Sequence, residues 1–186
     1  MKALLGGFDV AAARVVIERQ LDAFEAHWKA PPDYVDGHQH VQQFAGVREA
    51  LVAALASRYG GQSRRPYLRI SRAPSGSADL KSRIIAAMGA VAIEKIAARA
   101  GLTGAAALSG IYNFTGDASR YARLMDGWLT TAPAGCIIMC HPALSAEPGD
   151  VIGMARAQEF AYLSSADFPA ALERGGVELV RGDTWY

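Results

Sequence analysis

Cys136-Ile137-Ile138-Met139-Cys140-His141-Pro142 opens with five apolar residues in succession and closes on an imidazole and a proline. A strand with one wet face alternates apolar and polar residues. A short unbroken apolar run is instead what a parallel sheet buries beneath helices on both faces. The run therefore points to an α/β fold, with Cys136 and Cys140 as buried thiols and His141 at the strand's C-terminal end. Two cysteines at i and i+4 on one strand are too far apart to bridge each other.

The flanking sequence supports the same fold by alternating helix and strand. Residues 10–28 carry Val16, Leu21, Phe24 and Trp28 at helical spacing, and Pro31-Pro32 ends the pattern. Tyr34 and Val35 lead a short strand ending near His38. Residues 47–59 form an Ala-rich helix closed by Gly60-Gly61. Residues 67–70 are the next strand and 80–100 a long Ala/Ile helix stopped at Gly101; 105–108 are a brief buried strand. Residues 119–129 are helical, with Asp117 or Ser119 as N-cap. Residues 151–163 and 168–174 are helical, and Val177-Glu178-Leu179-Val180 closes the pattern as a strand. Residues 71–79, rich in Ser, Gly and Pro, are the most loop-like stretch.

About five strand–helix units result, which favours parallel strands. A closed eight-stranded (β/α) barrel typically needs about 250 residues, and this chain has 186 and opens on a helix. The expectation is one domain over 1–186: a (β/α) barrel-like, N-terminally incomplete barrel. Its unpaired edges would invite self-association, so a homo-oligomer, a dimer, is expected.

Composition excludes some partners. The 19 basic and 18 acidic residues nearly cancel, and no basic stripe interleaves with aromatics, which speaks against a nucleic-acid footprint. Although 51% of residues are hydrophobic, no apolar run approaches the ~20 residues of a membrane span, and no signal-peptide pattern opens the chain. Cytoplasmic localisation is the default.

The densest chemistry lies in Asp36-Gly37-His38-Gln39-His40, a carboxylate and two imidazoles within five residues. Continued as a strand, its period of two would place Asp36, His38 and His40 on one face. Such a group suits metal binding or acid–base work.

Several blocks together resemble the YdjC-like carbohydrate deacetylase family, in its chito-oligosaccharide deacetylase and hopanoid-biosynthesis-associated branches. Val35-Asp36-Gly37-His38-Gln39-His40-Val41 resembles that family's "hDSHQHVH" signature. Arg69 stands where the family has an Arg after its next strand. Ser109-Gly110-Ile111-Tyr112-Asn113-Phe114 resembles "FAGVYDF", and Met139-Cys140-His141-Pro142 resembles "MCHPG". Residues 156–163, with Glu159 and Leu163 in register, are similar to "R-x-x-E-x-x-x-L". The resemblance spans nearly the whole chain, with the blocks in the family's order.

It implies a metal-dependent hydrolase removing acetyl groups from N-acetylated sugars. The implied cofactor is a divalent ion, Mg or Zn, held by one Asp and two His. The second of those His matches His38. The other two ligands belong to "ADDFG" and "HLT"-like blocks that this chain lacks, and the first of these also supplies the general base. The resemblance thus implies a chain shortened at its N-terminus and leaves the cofactor possibly absent. His141 falls near the acetyl group, where it could stabilise or protonate the intermediate.

Each residue has a second reading. His38 is either a metal ligand or a capping or buried, hydrogen-bonded histidine. Asp36, a catalytic candidate, could instead orient a neighbouring imidazole. His40 could bind substrate or hydrogen-bond within its loop, and Arg69 could bind a substrate oxygen or pair with Asp36. His141 could be a strand terminator with a satisfied side chain. The next family His is Gln42 here. His27 belongs to a helix surface, and Cys140 lacks the acidic orienter of a nucleophile. Two functions follow: a carbohydrate N-deacetylase, or a non-catalytic remnant of that fold acting as a sugar-binding or structural protein.

Overall fold

The computed structural model describes residues 8–75 and 80–181. Helix α1 (Val10–Trp28) starts at Asp9, whose carboxylate accepts from the Ala12 N–H at 2.9 Å, and ends on Lys29 in the left-handed conformation. Helix α2 (Val47–Tyr59) packs against it. Arg58 donates to Glu25 and Asp22, and the Tyr59 hydroxyl donates to Glu25 at 2.6 Å, so one polar cluster ties the two helices together.

Strand β1 (Tyr34–Val35) pairs in parallel with β2 (Tyr67–Leu68), and β3 (Ala107–Ser109) with β4 (Cys136–Ile138). A parallel bridge between Leu68 and Gly104 joins the two pairs, with Leu68 N–H donating to the Thr103 carbonyl and Ala105 N–H to that of Leu68. The strands thus follow in chain order across an open parallel sheet. No closed barrel forms among the described residues.

The expected helix over 80–100 is two helices, α3 (Leu80–Ala87) and α4 (Ala90–Arg99). Gly89 breaks it. Its φ of 133° is open chiefly to glycine, and a Cβ there would stand 2.1 Å from the Gln43 carbonyl oxygen. The break therefore lets the backbone of the 38–43 segment lie close against α4.

Helix α5 (Ala118–Thr131), capped by Asp117, and helices α6 (Gly153–Leu163) and α7 (Asp167–Gly175) complete the chain's second half. Two main apolar clusters result. One joins α1, α2, β2 and α4 around Leu55, Tyr59, Leu68 and Ile93, and the other joins α5, α6 and α7 around Tyr121, Met125 and Tyr162. A smaller cluster of Ile85, Leu108 and Ile111 takes Ile137 and Met139 from β4.

Two expectations fail on this side. Residues 177–180 form no strand, and Leu179 and Val180 are exposed. Strand β4 is half-buried rather than buried on both faces, because among the described residues no strand lies on its outer side. Instead a groove of about 810 Å³, lined by Leu129, Ile138, Phe168 and Val177 among others, runs there. The thiols are accordingly less buried than expected. Cys136 is half-buried, Cys140 is exposed, and both are free. In 71–79, residues 71–75 are loop and 76–79 lie outside the described residues. Among the described residues no helix is long and apolar enough to cross a membrane.

Candidate active site

The chemistry-bearing side chains meet beyond the C-terminal ends of the parallel strands, where open α/β sheets and barrels place their sites. Strand β1 supplies the first group, though not as its period of two implies. The strand ends at Val35, and His38–Gln43 fold into a 3-10 turn, with Gln39 and His40 in the left-handed region at φ of 52° and 63°. Gly37 permits the reversal: a Cβ there would lie 2.7 Å from the Gln42 backbone nitrogen. The one-face expectation is therefore overturned. His38 is exposed and His40 half-buried, its ring nitrogen bonded to Arg69.

Arg69, at the end of β2, is 3% exposed and is the hub of this group. Its Nε and Nη2 bond Asp36, Nη2 donates to the Gly37 carbonyl at 2.9 Å, and Nη1 donates to His40 Nδ1 at 2.7 Å and Ser71 Oγ at 3.1 Å. The planar fork is thereby used in full. Of its two sequence readings, the pairing with Asp36 is the one the geometry realises. Asp36 also accepts from the Gly37 N–H at 2.5 Å. Burial, then the positive Arg69, push the His40 imidazole down to about 4, with Asp36 opposing; Lys81 and His141 act in the same direction as Arg69, so both lie within electrostatic reach of the ring. Gln42, where the family pattern has a His, is buried and donates to the Arg69 carbonyl at 3.1 Å.

The second group surrounds His141, directly beyond β4. The carboxylate of Glu159 on α6 is fully buried. It accepts the His141 backbone N–H on one oxygen and the Tyr112 hydroxyl on the other at 2.5 Å, and the latter oxygen stands 3.8 Å from His141 Nδ1. Burial works against the charged carboxylate, but the nearby His141 side chain, the His141 backbone N–H and the Tyr112 hydroxyl outweigh it and hold the pKa below its ordinary value. Burial, then the bond to Glu159, raise that of Tyr112. The His141 ring meets Phe114 edge-on at 5.1 Å, and Arg156 Nε donates to the His141 carbonyl at 3.1 Å. Lys81, at the start of α3, donates to the Tyr112 carbonyl at 2.7 Å and lies 5.4 Å from the centre of the Phe114 ring.

In the sequence Glu159 is legible only as a motif position, with no role attached. A signal was present: on α6, Ala155, Glu159 and Tyr162 are all buried at i, i+4 and i+7, which puts a carboxylate on the helix's inward stripe. Ser71 and Lys81 carry no such local signal, because each enters only through a partner distant in sequence.

The donor set does not complete a metal site. Among the described residues no three His, Cys, Asp or Glu side chains converge in a manner suited to an ion. Asp36 is engaged by Arg69, and His40 Nδ1 is occupied. What the arrangement offers chemically is an imidazole backed by a buried carboxylate, a second imidazole held through Nδ1 by Arg69, and an ammonium within its electrostatic range.

A protein-family model, described as YdjC-like protein, matches residues 1–174. No curated protein and no solved structure matches the chain.

Proposed function

Because the chain belongs to the YdjC-like protein family, we propose that it is a carbohydrate deacetylase-type hydrolase, acting on N-acetylated sugars at the C-terminal ends of β1–β4. Family membership supports the reaction class. The observation that carries the site is His141 at the end of β4, with its Nδ1 side turned to the buried Glu159.

In the proposed reaction His141 is the proton carrier. A water oxygen adds to the acetyl carbonyl carbon as the imidazole takes its proton. The C–N bond then breaks as the proton passes to the departing nitrogen, leaving acetic acid and an amino sugar. One histidine serves both transfers, so the protons balance. His40 contributes through Nε2: with Nδ1 accepting from Arg69, its N–H is free to donate to a substrate oxygen. Arg69, itself held by Asp36, fixes that ring, and Lys81 adds positive charge within electrostatic range of it. A divalent ion would polarise the acetyl carbonyl and acidify water. The described donors do not complete a site for one, and His38 is its proposed ligand. The outer edges of β1 and β4 support self-association, and a strictly monomeric species in light scattering would count against it.

The test is acetate release from an N-acetylated chito-oligosaccharide, with zinc or magnesium present, by the wild type and by His141→Ala. The reading predicts release that falls about 100-fold or more in the variant. No release by the wild type, or undiminished release by a folded variant, overturns it.

A further inference from the structure

We infer that Glu159 is the positioning residue of this site, a buried carboxylate that orients the His141 ring and stabilises its charged form between the two proton transfers. The inference rests on the proposed hydrolysis for its catalytic meaning, and on geometry alone for the coupling of the two side chains.

Burying a carboxylate is costly unless it is paired, and Glu159 is fully buried on the inward stripe of α6. Purely structural needs are met by neutral donors, the His141 backbone N–H and the Tyr112 hydroxyl. The nearest basic side chain on the same helix, Arg156, is turned away to Asp150 at 2.9 Å and to the His141 carbonyl. The remaining cation available to Glu159 among the described residues is the His141 imidazolium, with Nδ1 at 3.8 Å.

The ring's own situation points the same way. His141 Nδ1 is buried and has no hydrogen-bond partner among the described residues, an unusual position for a ring nitrogen. Phe114 meets the ring edge-on at 5.1 Å, and Glu159 lies just beyond hydrogen-bond range. A proton gained by the ring closes the 3.8 Å gap to a charge-assisted bond on Nδ1. Nε2, at the far side of the ring, is then the atom that exchanges protons with water and the departing nitrogen. The titratable groups around this pair are Tyr112 from the loop after β3, Cys140 beside His141, Tyr121 from α5 and His40 from the turn after β1, with Lys81 of α3 on the Tyr112 carbonyl.

Two variants test the inference, read by the pH profile of acetate release and by ¹⁵N NMR titration of the His141 ring. Glu159→Gln keeps the size and removes the charge. It is expected to lower kcat about 100-fold with KM within about threefold, and to move protonation of the His141 ring to lower pH while leaving His27 unmoved. Tyr112→Phe keeps the charge and strips the carboxylate of a donor, so it is expected to move His141 protonation to higher pH. Opposite displacements support the inference, and Tyr112→Phe decides it alone if Glu159→Gln does not fold. A His141 titration unchanged in folded variants overturns it. If the wild type releases no acetate, the hydrolase reading fails while the NMR titrations still decide the coupling.

Discussion

The Nη1 of Arg69 lies 2.7 Å from His40 Nδ1, and because a guanidinium only donates, the ring accepts there and carries its proton on Nε2. Arg69 thus sets the tautomer of His40 through a bond between side chains 29 positions apart in sequence. The same guanidinium holds Asp36, so a carboxylate and an imidazole that the strand period would have stacked on one face are united through an arginine instead.

Arg69→Ala should remove this arrangement and expose its cost. Asp36, the Gly37 carbonyl and His40 Nδ1 each lose a charged donor, and the loss should be about 3 kcal/mol. Arg69→Lys should recover only part of it, since an ammonium cannot fork. Urea unfolding at pH 7 measures both.

Gly89→Ala should destabilise by about 3 kcal/mol, from a positive φ imposed on a side chain and a Cβ driven into the Gln43 carbonyl. Thermal melts should show it. A melt equal to that of the wild type would mean that α3 and α4 are not broken there.

Acid should weaken the fold through Glu25 and Glu159. The bond from Arg58, then that from Tyr59, lower the first, and the second is lowered despite its burial. A carboxylate whose folded value lies below its ordinary 4.5 stabilises fully above that value and loses its contribution as pH falls through the folded one. Urea midpoints should therefore decline below about pH 4.5, and Glu25→Gln should flatten the decline.

The His38 side chain is exposed, so His38→Ala should change stability by less than about 0.5 kcal/mol. In its proposed role as ligand, added zinc should raise the Tm of the wild type and not that of the variant. An equal rise in both would remove His38 from any metal site.

Much of this architecture is legible in local sequence. The bounds of α1 and α2 follow from helical spacing closed by Pro31-Pro32 and by Gly60-Gly61, and Asp117 caps α5 as its residue type suggests. What escapes is set by distant partners. The break at Gly89 answers to the Gln43 carbonyl, 46 residues away. Residues 177–180 have strand composition, but a strand exists only where a neighbour pairs with it. Likewise Cys140 reads as buried from its apolar run and is exposed, since burial depends on what covers β4. At the site, Asp36, His40, Arg69 and His141 are visible as residue types, whereas Glu159's role emerges only when α6 lies beside the end of β4.

The most direct test of the proposed site is a titration of the protein with an N-acetylated chito-oligosaccharide, followed through the ring resonances of its four histidines. The account predicts that the His40 and His141 resonances shift together and saturably, while that of His27, on α1, stays in place. Saturation without movement of His40 and His141, or no binding at all, would contradict it.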